Sequence, residues 1–124
     1  MQSTVRIISG LYGLIKPLDL IQPYRLEMGT KFSVNSNEKN LYTFWMNKIT
    51  ESLKEEMSEV ESPILLNVAS NEYSKSINMK MLENNGIKVI TCVFKESNGK
   101  QASTLLKRAR GLMCRYVIQN QVKD

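Results

Sequence analysis

Residues able to do chemistry are densest between Ser9 and Gly29, in SGLYGLIKPLDLIQPYRLEMG. Within Pro23-Tyr24-Arg25-Leu26-Glu27 an extended backbone would set Arg25 and Glu27 on one face. Arg25 could there hold a phosphate or carboxylate, and Glu27 could act as a base or orient the same group. The alternative is an ion pair that fixes the loop. Ser9 and Ser70 qualify as nucleophiles only beside a base. The chain has no histidine, so that base would be Lys16, Lys75 or Glu72. Neither serine sits in a nucleophile-elbow sequence, and capping or phosphate contact suits both better. Tyr12 and Tyr73 could supply hydroxyls to the same cleft, or could simply be buried with a partner. The Gly10/Gly13 pair is neither a Walker nor a dinucleotide pattern. Asp19, Glu27 and Glu72 are too scattered to define a metal site. Cys92 and Cys114 lack paired-motif spacing, so neither metal nor cofactor is assigned.

The second chemical feature is electrostatic. The net charge is +5, yet residues 1–99 hold 11 basic and 11 acidic side chains. The excess lies in residues 100–124, with six basic residues against Asp124 alone. On a helical wheel Lys107, Arg108, Arg110 and Arg115 gather opposite Leu105, Leu106, Ala109, Leu112, Met113, Tyr116 and Val117. Such an arc fits an anionic partner, DNA phosphate above all. The competing reading pairs these cations with acids on the helix over 39–60. Cys114 falls between Lys107 and Arg110, where cations favour a thiolate, and is expected to react faster than Cys92.

Positioning these groups falls to an alternating series of elements. Val5-Arg6-Ile7-Ile8 reads as a strand. Pro17 and Pro23 then forbid a continuous helix, so Ser9–Gly29 is an ordered loop with one short helical turn near Leu18–Ile21. Asn35 to Glu38 supplies caps for a helix over Lys39–Val60, with Leu41, Trp45, Ile49, Leu53 and Met57 on its buried stripe. Residues 64–68 form a buried strand, followed by short helices near 73–77 and 80–85, the latter closed by Gly86. A third strand runs over 87–95, and Asn98-Gly99 suggests a hairpin onto residues 100–103. Ser103 or Thr104 caps a last helix ending near Asn120. The spacing predicts an α/β fold: a small, mostly parallel or mixed sheet of about three strands with flanking helices. If the first two strands are parallel, their polar ends at Ser9-Gly10 and Ser70-Asn71-Glu72 share one site.

The Ser9–Gly29 stretch resembles the signature of the YaaA family of bacterial peroxide-stress proteins. The likeness continues through Leu41-Tyr42-x-Phe44-Trp45, Asn67-x-Ala69-Ser70-x-Glu72-Tyr73 and Lys107-x-Ala109-Arg110-Gly111-Leu112-Met113. It implies a cytosolic factor that limits damage from hydrogen peroxide and free iron and binds DNA. Family members are longer, with about as much chain again before Val5 and a tail beyond Asp124. The resemblance therefore makes residues 1–124 a single partial YaaA-like domain, expected to self-associate through uncovered edges. It also puts the helix-hairpin-helix-like DNA element proposed for the family outside this chain. The candidate ligand cleft comprises Ser9, Gly10, Tyr12, Gly13, Lys16, Asp19, Tyr24, Arg25 and Glu27, with Asn67, Ser70, Glu72, Tyr73 and Lys75. A second class of function is an enzyme acting there on a small anionic or nucleotide-like substrate. A third is a remnant with no independent function. No run approaches the roughly 20 apolar residues of a membrane span, and the N-terminus lacks a signal-peptide pattern, so the expected location is the cytoplasm.

Overall fold

The computed structural model describes residues 2–94 and 103–120. Its elements are β1 (Ile7–Ser9), β2 (Gly13–Ile15), α1 (Leu41–Met57), β3 (Ile64–Asn67), α2 (Asn71–Ser74), α3 (Met79–Asn84), β4 (Lys88–Thr91) and α4 (Ser103–Asn120). The class is α/β, as the alternation predicts. The strands form two pairs in place of one sheet of about three. β1 and β2 are antiparallel with Ile8 opposite Leu14, and β3 and β4 are parallel with Leu65 opposite Val89. Strand β2 is not foreseen by the loop reading. Gly13 enters it at φ +79°, a conformation glycine adopts without penalty, and so turns the chain back onto β1.

Several boundaries also shift for local reasons. Asn35 does not cap α1; its side chain accepts from the Asn37 and Glu38 amides and closes a turn of its own. Asn40 caps instead, accepting from Thr43 N–H at 2.9 Å in a reciprocal capping box. The turn expected at Leu18–Ile21 lies earlier: Asp19 N–H bonds to Lys16 O, and Lys16 N–H to the Asp19 carboxylate. Gly86, at φ +84°, ends α3 as expected. The Asn98-Gly99 hairpin and its returning strand lie outside the described residues, as do the cap side chains expected at Ser103 or Thr104.

The core is a cluster of Ile49, Leu53, Ile77, Leu82 and Ile87, so the stripe of α1 packs inward as its spacing requires. Thr50, fully buried, accepts from Asn78 N–H and locks α1 to the start of α3. Polar contacts along α1 fix the strand directions. At its C-terminal end Glu56 pairs with Arg6 at 2.8 Å, just before β1. Near its start, Trp45 Nε1 donates to Gly10 O at 2.8 Å, just after β1. Strand β3 leaves from the end of α1 through Pro63, and the chain beyond it returns to the start of α1, where Tyr42 donates to Glu72 O. Both β1 and β3 therefore run antiparallel to α1 and point the same way. Their carboxyl ends lie at one end of the molecule.

Helix α4 is turned relative to its expected docking. Leu105, Leu112 and Tyr116, assigned to the buried face, are each more than half exposed. Leu106, Ala109, Met113 and Val117, assigned to the same face, are partly buried as expected; Ile118 joins them, and Arg110 and Cys114 border a groove beside β1 and β3. The wheel separates polar from apolar residues, but Arg110 and Cys114 carry enough apolar surface to face inward.

Candidate functional site at the carboxyl ends of two strands

Ser9, 2% exposed, closes the turn after β1. Its Oγ accepts from Leu11 N–H at 3.2 Å and Tyr12 N–H at 3.0 Å, and lies 2.5 Å from Tyr24 Oη. A hydroxyl has two lone pairs and one proton. With both lone pairs engaged, Ser9 donates to Tyr24, which leaves the Tyr24 phenol proton free for a ligand. Ser9 is thereby a turn-closing and positioning group, and none of Lys16, Lys75 or Glu72 is among its hydrogen-bond partners to serve as a base. Tyr12 packs edge-on against Tyr24, ring centres 5.6 Å apart, and its hydroxyl accepts from Gln22 N–H.

The far end of the loop is pinned to the segment after β3. Gly29 N–H donates to Glu72 Oε2 at 2.9 Å, and Met28 is fully buried beside it. The loop closes on itself at Gly10, where a Cβ would stand 2.6 Å from the Leu26 carbonyl oxygen. Tyr73 joins the two halves. Burial raises its pKa, the Met28 backbone hydrogen bond opposes that rise, and the charges of Glu72, Tyr24 and Glu27 add to it. Burial and then Glu72 also raise Tyr42. Both phenols are therefore proton donors throughout the neutral range. What converges is two phenols, Tyr24 and Tyr73, with two carboxylates, Glu27 and Glu72: hydrogen-bond donors and acceptors able to orient a polar ligand or to pass a proton.

Other candidates stand apart. Ile15 pairs with Ile7, so Lys16 and Asp19 lie beyond the amino end of β1, at the opposite end of the strand, and serve the turn there. Arg25, Glu27 and Lys75 are exposed, and among the described residues Arg25 and Glu27 form no ion pair. Asn67 accepts from Ala69 N–H and ends β3. Ser70 occupies the cap position of α2 but makes no side-chain cap bond, so of the two roles expected of it, capping or phosphate contact, the capping bond is not made. Gly13 serves packing: a Cβ would come within 2.5 Å of the Trp45 ring. Among the described residues no three His, Cys, Asp or Glu side chains gather as metal ligands. On α4, Lys107, Arg108 and Arg115 are exposed, whereas Arg110 is half-buried at the groove. Among the described residues none of the four pairs with the acids of α1. Cys114 does not fit the expected reactive thiolate, since burial, followed by the charge of Cys92, pushes its thiol up.

The family model described as "Peroxide stress protein YaaA" matches residues 1–124. The chain belongs to the YaaA family. Curated relatives carry the name UPF0246 protein. That of Saccharophagus degradans is 52% identical over 124 residues, that of Polynucleobacter necessarius 51% over 126, and that of Hahella chejuensis 48% over 125. The matches cover 98–99% of this chain but 47% of each relative, so the chain spans about half the length of the curated relatives it matches. Within this YaaA-family chain, three residues of the site escaped sequence reasoning in their actual roles. Trp45 was legible as part of a buried stripe, yet its indole N–H also holds Gly10. Tyr42 holds the Glu72 carbonyl, and Met28 anchors the loop from within. For Trp45 and Tyr42 the available signal was the polar tip on an otherwise apolar stripe. Met28 gave no comparable signal.

Among the described residues no helix is long and apolar enough to cross a membrane.

Proposed function

We propose that this chain acts in the hydrogen peroxide stress response, limiting peroxide and iron damage, and that it contacts DNA through α4. The observation carrying this reading is the exposed set Lys107, Arg108 and Arg115, without an ion-pair partner among the described residues. Three unpaired cations on one side of a helix match phosphates spaced along a duplex, and such contacts carry little sequence preference. Each phosphate neutralised contributes about −0.9 to the slope of log affinity against log salt, so the three predict a slope near −3. Duplex binding titrated across salt concentrations checks this. Arg108→Gln with Arg115→Gln should flatten the slope by about two, on unrelated sequences alike. Arg110→Gln, at the groove, should leave the slope nearly unchanged. Salt-insensitive binding, or equal effects of all three substitutions, would remove α4 from the DNA interface.

A second reading is favoured by the convergence of Tyr24, Tyr73, Glu27 and Glu72. Ligands of open α/β sheets gather beyond the carboxyl ends of parallel strands, and these groups stand there. The site would take a small polar, nucleotide-like substrate, with the Tyr24 phenol as donor and a carboxylate as acceptor. Nucleotide-dependent protection of the Tyr73 region in hydrogen exchange, lost in Tyr24→Phe, is its expected result.

A further inference from the structure

We propose that the groove between β1 and β3 seats a β-strand drawn from the part of the family's length outside this chain, joining the two small sheets into one. The groove encloses about 350 Å³. Its walls include residues 5 to 8 in unbroken succession, and residues 65 to 70 likewise. Successive side chains of a strand point to opposite faces, so a cavity lying over one face touches every second residue. Contact with consecutive residues of both strands sets the opening along their edges. Among the described residues β1 bonds only to β2 and β3 only to β4, which leaves those edges unpaired. Bare edges present rows of N–H and C=O groups that template a further strand. Because β1 and β3 point the same way, one inserted strand can be parallel to both.

The groove also specifies its occupant. Ile8, Leu14, Leu53, Leu65 and Ile77 make its walls apolar, so the strand should be a near-continuous apolar run. A carbonyl or carboxylate of the strand would give the half-buried Arg110 at the groove a partner. Gly111 borders the groove, and a Cβ there would meet nothing within 4 Å. Glycine inside a helix costs about 1 kcal/mol against alanine, and no contact among the described residues accounts for it. Close approach of an added backbone would. Since 47% of each relative is covered, the family has the additional length to provide such a strand. Running parallel, the strand would end beside Gly10 and Ser70 and bring its own residues to the Tyr24–Tyr73 site.

The test mixes this chain with the unmatched part of the Saccharophagus degradans relative, expressed separately. A one-to-one complex should form, slowing amide exchange in Ile7–Ser9 and Ile64–Asn67 by about tenfold or more. Gly111→Trp should not lower the urea midpoint of the free chain, since tryptophan suits a helix better than glycine, and should weaken the complex by about tenfold or more. Should the separate polypeptide fail to fold, a single-chain hybrid carrying both parts is read by the same exchange measurement. The proposal is overturned by a complex or hybrid whose β1 and β3 amides stay unprotected. Indifference of the complex to Gly111→Trp overturns it too, as does protection of those edges by self-association of this chain alone.

Discussion

At the scale of single residues, two glycines with the same backbone conformation separate strain from packing. Gly13 and Gly86 both have positive φ, but a Cβ meets the Trp45 ring at 2.5 Å in the first case and nothing within 4 Å in the second. Gly86→Ala should therefore cost only the left-handed backbone term, about 1 kcal/mol, and Gly13→Ala that term plus overpacking, about 2–4 kcal/mol. Urea midpoints of the two variants measure the difference. Tyr42 offers a pH-dependent test. Its hydroxyl holds the Glu72 carbonyl at 2.7 Å, so Tyr42→Phe should cost about 1 kcal/mol at neutral pH. The folded-state pKa of Tyr42 is raised, chiefly by burial, so the folded chain keeps a proton that the unfolded chain loses near pH 10. Its stabilising contribution is complete below that value and is lost as pH rises through the folded pKa. Urea melts on an alkaline series should show the gap between the parent and Tyr42→Phe closing above pH 10.

At the scale of elements, α1 organises the site. Its capping box sets where the helix begins, and that register aims Tyr42 at Glu72 and Trp45 at Gly10. Asn40→Ala should lower stability by about 1 kcal/mol through loss of the cap, with Asn40→Asp recovering most of it. Asn35→Ala removes only a turn outside the helix and should cost less. Thermal melts of the three variants decide which asparagine starts α1. Helix α4 has a different construction: its partly buried side includes Arg110 and Cys114, while Leu105, Leu112 and Tyr116 face outward. An amphipathic pattern defines which residues can be buried. Which of them are buried depends on the surface opposite.

At the scale of the molecule, apolar side chains reach the surface in a cluster beyond β2. Leu18 is 74% exposed and Leu20 98%, with Ile21 close behind in sequence. Contiguous exposed apolar groups mark association surfaces or aggregation liabilities. Sedimentation velocity should show the chain associating as concentration rises through the micromolar range. Leu20→Ser should reduce that association while changing the unfolding free energy from urea melts by less than about 0.5 kcal/mol, because the side chain makes almost no buried contact.

Local chemistry made much of this structure legible in the sequence. The stripe of α1 needed only its four-residue spacing, the end of α3 only Gly86, and the α/β class only the alternation of β-branched and helical runs. Ser9–Gly29 was recognisable as non-helical because its prolines exclude a helix, but its apolar residues did not foretell burial, since Leu18, Leu20 and Ile21 are exposed. The loop's internal pairing was not legible. Strand β2 exists because Gly13 reverses the chain under Trp45, a residue far along the sequence. The site was visible as a set of residue types, and tertiary structure sorted them. Parallel placement of β1 and β3 along α1 brings Tyr24, Glu27, Glu72 and Tyr73 to one end and leaves Lys16 and Asp19 at the other. The sequence by itself determined which segments extend, coil and bury, because those choices rest on contacts within a few residues. Only the tertiary structure decided which polar groups meet, since hydrogen bonds such as Gly29 to Glu72 or Trp45 to Gly10 join residues that no local pattern relates.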